Sequence, residues 1–150
     1  YASLKSFGIN QITKIYNKSL VFNKLINKEI GINIISSYKR AFNILENELK
    51  NKELELSINT DPALFKNDYE KKLYKKIHEL RKYFTSINKD EDYELTLKNL
   101  AESKQVIFDF FDNVKVNDED KTIQKNRLEL IQMLCKTFDN YINFSIIEGV

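Results

Sequence analysis

The chain has a single histidine, His78, and a single cysteine, Cys135. Chemistry that needs paired imidazoles, a thiolate beside an imidazole, or a Cys/His metal shell is therefore short of ligands from the start. His78 falls on the polar side of a helical stretch. Cys135 falls beside an apolar stripe, where a buried free thiol is inert without a neighbouring base. Gly8, Gly31 and Gly149 are isolated, so no glycine-rich loop is available to cradle a phosphate. Asp118, Glu119 and Asp120 form an acid run that could face a hard cation, yet they lack the alternating spacing and central glycine of a calcium loop. Helix capping explains them better. Binding is what remains. Lys39 and Arg40 are adjacent, with Asn43 one turn on, on a side away from the apolar stripe Tyr38, Ala41, Phe42 and Leu45. Two cations and an amide can contact phosphates or base edges, although spacing alone favours an ordinary wet helix face.

These residues need elements to position them, and the apolar spacing is helical throughout. Three glycines and one proline supply little of the turn chemistry that strands require. Five helices are predicted. The first covers about residues 10–25, with Ile12, Ile15, Tyr16, Leu20 and Phe22 or Asn23 turning around the core face. The second covers about 28–50, with Ile34, Tyr38, Ala41, Phe42, Leu45 and Leu49 at steps of three and four; Gly31 near its start is tolerable. Asp61-Pro62 then breaks the pattern, and Asn67 or Asp68 is a second N-cap. The third helix runs to about residue 85 on Tyr69, Leu73, Tyr74, Ile77, Leu80 and Phe84. Asp90, Glu91 and Asp92 sit at the positive end of a fourth, whose stripe is Tyr93, Leu97, Leu100, Ile107, Phe110, Phe111 and Val114. The acids at 118–120 repeat the device for a fifth, striped by Leu128, Ile131, Leu134, Phe138, Tyr141 and Ile142. The expected fold is an all-α, single-domain helical bundle over residues 1–150.

Bulk properties agree. A chain of 150 residues with 42% hydrophobic side chains can close one core without staples. A mean hydropathy of −0.48 and the absence of long apolar runs exclude a membrane helix. One cysteine permits no internal disulfide, which points to a reduced, cytoplasmic setting. Residue 1 is Tyr with no secretory pattern behind it, so the sequence reads as a piece of a longer protein. Charge is uneven: residues 1–50 carry a net +5, residues 51–100 none, and residues 101–150 a net −3. A basic amino-terminal part hints at an anionic partner.

Four blocks carry a resemblance: "YKRAFNIL" at 38–45, "DPALF" at 61–65, "EKKLY" at 70–74, and "FFDNVKVNDED" at 110–120 followed by "NRL" at 126–128. In this order and with these gaps, over about residues 9–147, the chain resembles the carboxy-terminal, DALR-type anticodon-binding domain of the bacterial glycyl-tRNA synthetase beta subunit. The resemblance implies an all-helical domain similar to the one arginyl-tRNA synthetase uses for its anticodon. It implies a parent beta subunit that joins an alpha subunit in a heterotetramer. The alpha subunit would carry the ATP- and Mg-dependent ligase chemistry, with no cofactor and no catalytic residue in this domain. The partner is then glycine tRNA, through its anticodon region, with neither DNA nor membrane involved. Lys39, Arg40, Asn43, Lys115 and Asn113 are the expected RNA contacts. Asp112 and Arg127 are expected to pair and brace the polar corner, while Phe110, Phe111, Val114 and Val116 close the core. The rival expectation is a helical protein-docking module without RNA contact, whose signature is an exposed apolar patch.

Overall fold

The computed structural model describes residues 2–50, 54–86 and 93–144. Among them the chain forms α1 (Ala2–Leu25), α2 (Glu29–Lys50), a 3-10 turn (Pro62–Leu64), α3 (Asp68–Ser86), α4 (Tyr93–Glu102), α5 (Lys104–Asn113) and α6 (Lys121–Asp139). This is the expected all-α bundle, with the fourth predicted helix bent into two segments. The bend lies at Ser103, which is fully buried and donates its hydroxyl to the Leu100 carbonyl. A serine bonding back to its own helix diverts the ladder and bends the chain. The consequence is a change of partner: α4 packs mainly on α2, and α5 mainly on α3.

Starts and stops follow local chemistry. Asp61 accepts from the Ala63 N–H and Pro62 opens the short turn. Asn67 caps α3 by accepting from Glu70 N, while Glu70 reaches back to Lys66 N, close to a capping box. Asp120 caps α6 through Thr122 N, and Asp118 accepts from Asp120 N. The expected caps Asp90, Glu91 and Asp92 lie outside the described residues.

The core sits around α6, which is buried on nearly every side. Leu128, Ile131, Leu134 and Phe138 meet Ile34, Tyr38 and Ala41 of α2, Leu73 and Ile77 of α3, Leu97 and Leu100 of α4, and Ile107 and Phe110 of α5. Val114 and Val116 are buried as expected, whereas Phe111 is half-buried. Gly31 is required rather than tolerated. A Cβ there would strike the Leu25 carbonyl and the Ile26 backbone, so only glycine lets α2 begin that close to the end of α1.

The first predicted stripe is corrected. Ile12 is 69% exposed, Ile15 55%, Tyr16 61% and Leu20 43%. Among the described side chains of α1, those of the last two turns dock. Phe22 sets its ring edge-on to Phe144 at 5.4 Å, Tyr141 Oη donates to the Lys18 carbonyl at 2.9 Å, and Leu25 is buried. Residues 18, 21, 22 and 25 share one arc of the helix; at about 100° per residue 12, 16 and 20 lie off that arc, while Ile15 borders it and is exposed because it precedes the docked turns.

Candidate nucleic-acid interface

The polar corner after α5 is built from α6 outward. Arg127 is buried and reaches three acceptors: the Lys115 carbonyl at 2.7 Å, Asp118 Oδ2 at 3.1 Å and Glu70 Oε1 at 3.2 Å. Glu70 is wholly buried, so the pair is desolvated and geometry must compensate for what water supplied. The Asp120 backbone N–H, and Arg127 after it, hold the Asp118 carboxyl below the usual carboxylate range. The expected pairing of Arg127 with Asp112 is not made. Arg127 points inward along α6 and meets acids of α3 and the corner, while Asp112 stands on the outer face of α5.

Asn126 anchors the segment before α3. It accepts from Asp61 N at 2.6 Å, donates to the Asp61 carbonyl at 3.0 Å, and lies 2.8 Å from Thr60 Oγ1. Glu129 adds a bond from Ser57 N at 2.6 Å. The tripeptide Asn126-Arg127-Leu128 therefore has one residue for the loop, one for the corner and one for the core.

Asp112 pairs with the expected RNA contact Arg40: Nη2 to Oδ1 is 2.9 Å, between groups 35% and 59% exposed. The guanidinium lies 4.9 Å from the Phe108 ring centroid and 5.4 Å from that of Phe111. Carboxylate and rings together orient it. Lys104 Nζ donates to Asn33 Oδ1 at 3.1 Å and lies 5.1 Å from Phe108, extending the wall. Lys39 and Asn43 are exposed beside Arg40 on α2. Asn113 follows Asp112 directly and donates to the Asp109 carbonyl, and Lys115 is exposed beyond it. The Arg40 to Asp112 bridge thus joins the α2 residues to the exit of α5 on one surface.

Lys104 and Phe108 went unread in the sequence. Their signal was present, because Lys104, Phe108 and Asp112 recur at intervals of four on the wet side of α5. This surface offers two exposed lysines, an oriented guanidinium, aromatic edges and two side-chain amides. Such a set takes phosphodiesters and unstacked bases.

Burial, with Asp139 adding to it, pushes the Cys135 thiol up to about 12, so at neutral pH it is not a thiolate. His78 sits edge-on to Tyr74 at 4.3 Å. Among the described residues no group of three or more His, Cys, Asp or Glu side chains could hold a metal, and no helix is long and apolar enough to cross a membrane.

Comparison with known proteins gives residues 34–147 as a match to the family described as "DALR anticodon binding domain". The chain is 34% identical over 117 residues to the glycine-tRNA ligase beta subunit of Rickettsia prowazekii (strain Madrid E), covering 78% of this chain and 17% of that protein. It is 33% identical over 117 residues to the same subunit of Rickettsia typhi, and 35% identical over 122 residues to that of Rickettsia bellii (strain OSU 85-389), again 17% of each relative. It therefore spans about 17% of the length of the curated relatives it matches.

Proposed function

The chain belongs to the DALR anticodon binding domain family, and from that membership we propose that it binds the anticodon region of glycine tRNA as part of a glycine-tRNA ligase beta subunit. One observation carries the placement. Arg40 is held by Asp112 against Phe108 and Phe111 inside the family-matched segment, with Lys39 and Asn43 exposed beside it. Lys39, Arg40 and Lys115 take the backbone phosphates. Asn43 and Asn113 read edges of splayed bases, and Phe108 or the Arg40 plane offers a stacking surface. The domain positions RNA and performs no bond chemistry; ligation, with its ATP and Mg, falls to the alpha subunit of a cytoplasmic, bacterial heterotetramer.

The test is binding of the 150-residue chain to a glycine tRNA transcript, beside a transcript with altered anticodon bases, across a salt series. Tighter binding to the natural loop is expected, lost in Lys39→Ala/Arg40→Ala. With ~3 phosphates neutralised, the logarithmic salt slope is near −2 for single-stranded RNA. Equal binding to both transcripts sinks anticodon reading.

The apolar stripe on α1 favours a second role beside the first. Ile12, Ile15, Tyr16 and Leu20 are exposed together, and they precede the family-matched segment. A contiguous apolar face of this kind marks a protein contact, and we assign it to the remainder of the beta subunit. Ile15→Asp/Leu20→Asp should leave RNA binding unchanged and weaken association with a separately expressed remainder of that subunit. RNA loss with intact association would reverse the assignment.

A further inference from the structure

A second surface carries cations of a different kind. At the carboxy-terminal ends of α3 and α6 lies an open groove of about 520 Å³ lined by Arg81, Phe84, Lys136 and Asn140. Arg81 is positioned rather than loose. Thr137 Oγ1 is buried, donates to the Met133 carbonyl at 2.7 Å, and so presents its lone pair to Arg81 Nε–H at 3.3 Å. That bond uses Nε and leaves both terminal amino groups for a ligand. Neither Arg81 nor Lys136 forms an ion pair among the described residues. The carboxylate nearest Lys136 in sequence, Asp139, accepts from Tyr38 Oη and Phe144 N, and the one nearest Arg81, Glu79, lies 3.8 Å from Lys76 Nζ.

The bland explanations cover only part of this set. Lys136 lies in the last turn of α6, where a cation complements the helix dipole, and Arg81 braces α3 to α6. Neither accounts for an aromatic ring and an exposed side-chain amide on the same concave surface. On the α2–α5 face the guanidinium already has a carboxylate partner. Here two cations with no ion-pair partner among the described residues lie beside a ring and an amide, which is the inventory for one nucleotide: a phosphate for Arg81 and Lys136, a base plane for Phe84, and a base edge for Asn140.

We infer that this groove is a nucleotide subsite that takes one unstacked nucleotide of the bound RNA. It is separate from the α2–α5 face, and the inference rests on the RNA reading above. A free mononucleotide has the same chemistry, and the test separates the two sources.

The probe is a fluorescein-labelled glycine-tRNA anticodon stem-loop, titrated with the 150-residue chain and followed by anisotropy across a salt series. Arg81→Gln/Lys136→Gln should weaken binding about tenfold and flatten the logarithmic salt slope by about 0.7, for the one phosphate that the two cations share. Phe84→Leu should cost about fivefold through lost stacking. Because the Arg81 brace also holds α3, Lys136→Gln alone serves as a variant of an exposed residue with no side-chain bond among the described residues; it should weaken binding while circular dichroism keeps its helical signal and melting falls by no more than the lost helix-dipole contribution. Wild-type binding with all three variants unaffected overturns the groove and leaves the anticodon reading standing. No wild-type binding overturns both. Saturation by cytidine monophosphate as tight as by the stem-loop would overturn the RNA assignment of the groove in favour of a free nucleotide.

Discussion

Two arginines meet carboxylates in this molecule, and burial separates what they do. Arg127 is almost fully buried against a wholly buried Glu70, whereas Arg40 and Asp112 are 35% and 59% exposed. Inside, the charge has no water to return to, so the contact is compulsory and fixes how the corner, α3 and α6 meet. Outside, water competes with Asp112, so the same contact adds little stability and leaves the guanidinium available to a better anion. One arginine is a hinge pin for the fold, and the other is an oriented guanidinium at the surface.

The sharpest way to break that contrast is to remove each arginine. Arg127→Ala should cost about 3–5 kcal/mol, because Glu70 is then buried and unpaired, and urea denaturation reads the loss directly. If the loss is under about 1 kcal/mol, the buried pair is not compulsory. Replacing the pair together, Arg127→Met with Glu70→Leu, should recover a large share of that loss. The difference between double and single variants measures how much of the cost was the orphaned charge.

Acid supplies a third probe. The Asp118 carboxyl is depressed in the folded chain, first by the Asp120 N–H and then by Arg127. A depressed carboxylate contributes stability that is present above its unfolded value of 3.8 and is lost as pH falls through the folded value. Wild type should therefore lose more stability below pH 3.8 than Asp118→Asn does; parallel acid titrations remove Asp118 from the corner's energetics.

The smallest stability effect is expected at the surface. Arg40→Ala and Asp112→Asn should each shift unfolding by less than about 1 kcal/mol, yet they should act oppositely on RNA. Losing Arg40 weakens binding, while neutralising Asp112 frees the guanidinium and tightens it. A shared sign in filter-binding measurements would make the bridge purely structural.

The helices, their caps at Asp61, Asn67 and Asp120, and most of the core stripe were legible because 3.6-residue periodicity and capping are local properties. Three readings failed for one shared reason. Ile12, Ile15, Tyr16 and Leu20 form a sound amphipathic face, but periodicity tells which residues share a side and not whether a partner covers it. Ser103 carries no breaker signal, because a serine bends a helix only where its hydroxyl bonds back to the preceding turn, and periodicity does not show that bond. Arg127 and Asp112 are close in sequence, yet rotation along α6 sends the guanidinium inward. The groove of Arg81, Phe84, Lys136 and Asn140 was beyond reach, since its residues lie more than fifty positions apart and on two helices.

The sequence by itself determined an all-α bundle and the family, because these follow from residue inventory, short-range spacing and the order of four blocks. Only the tertiary structure decided which cation meets which acid, which apolar face stays open, and which basic surface remains uncompensated. Charges and burial act through space, and distance along the chain does not encode distance across a bundle.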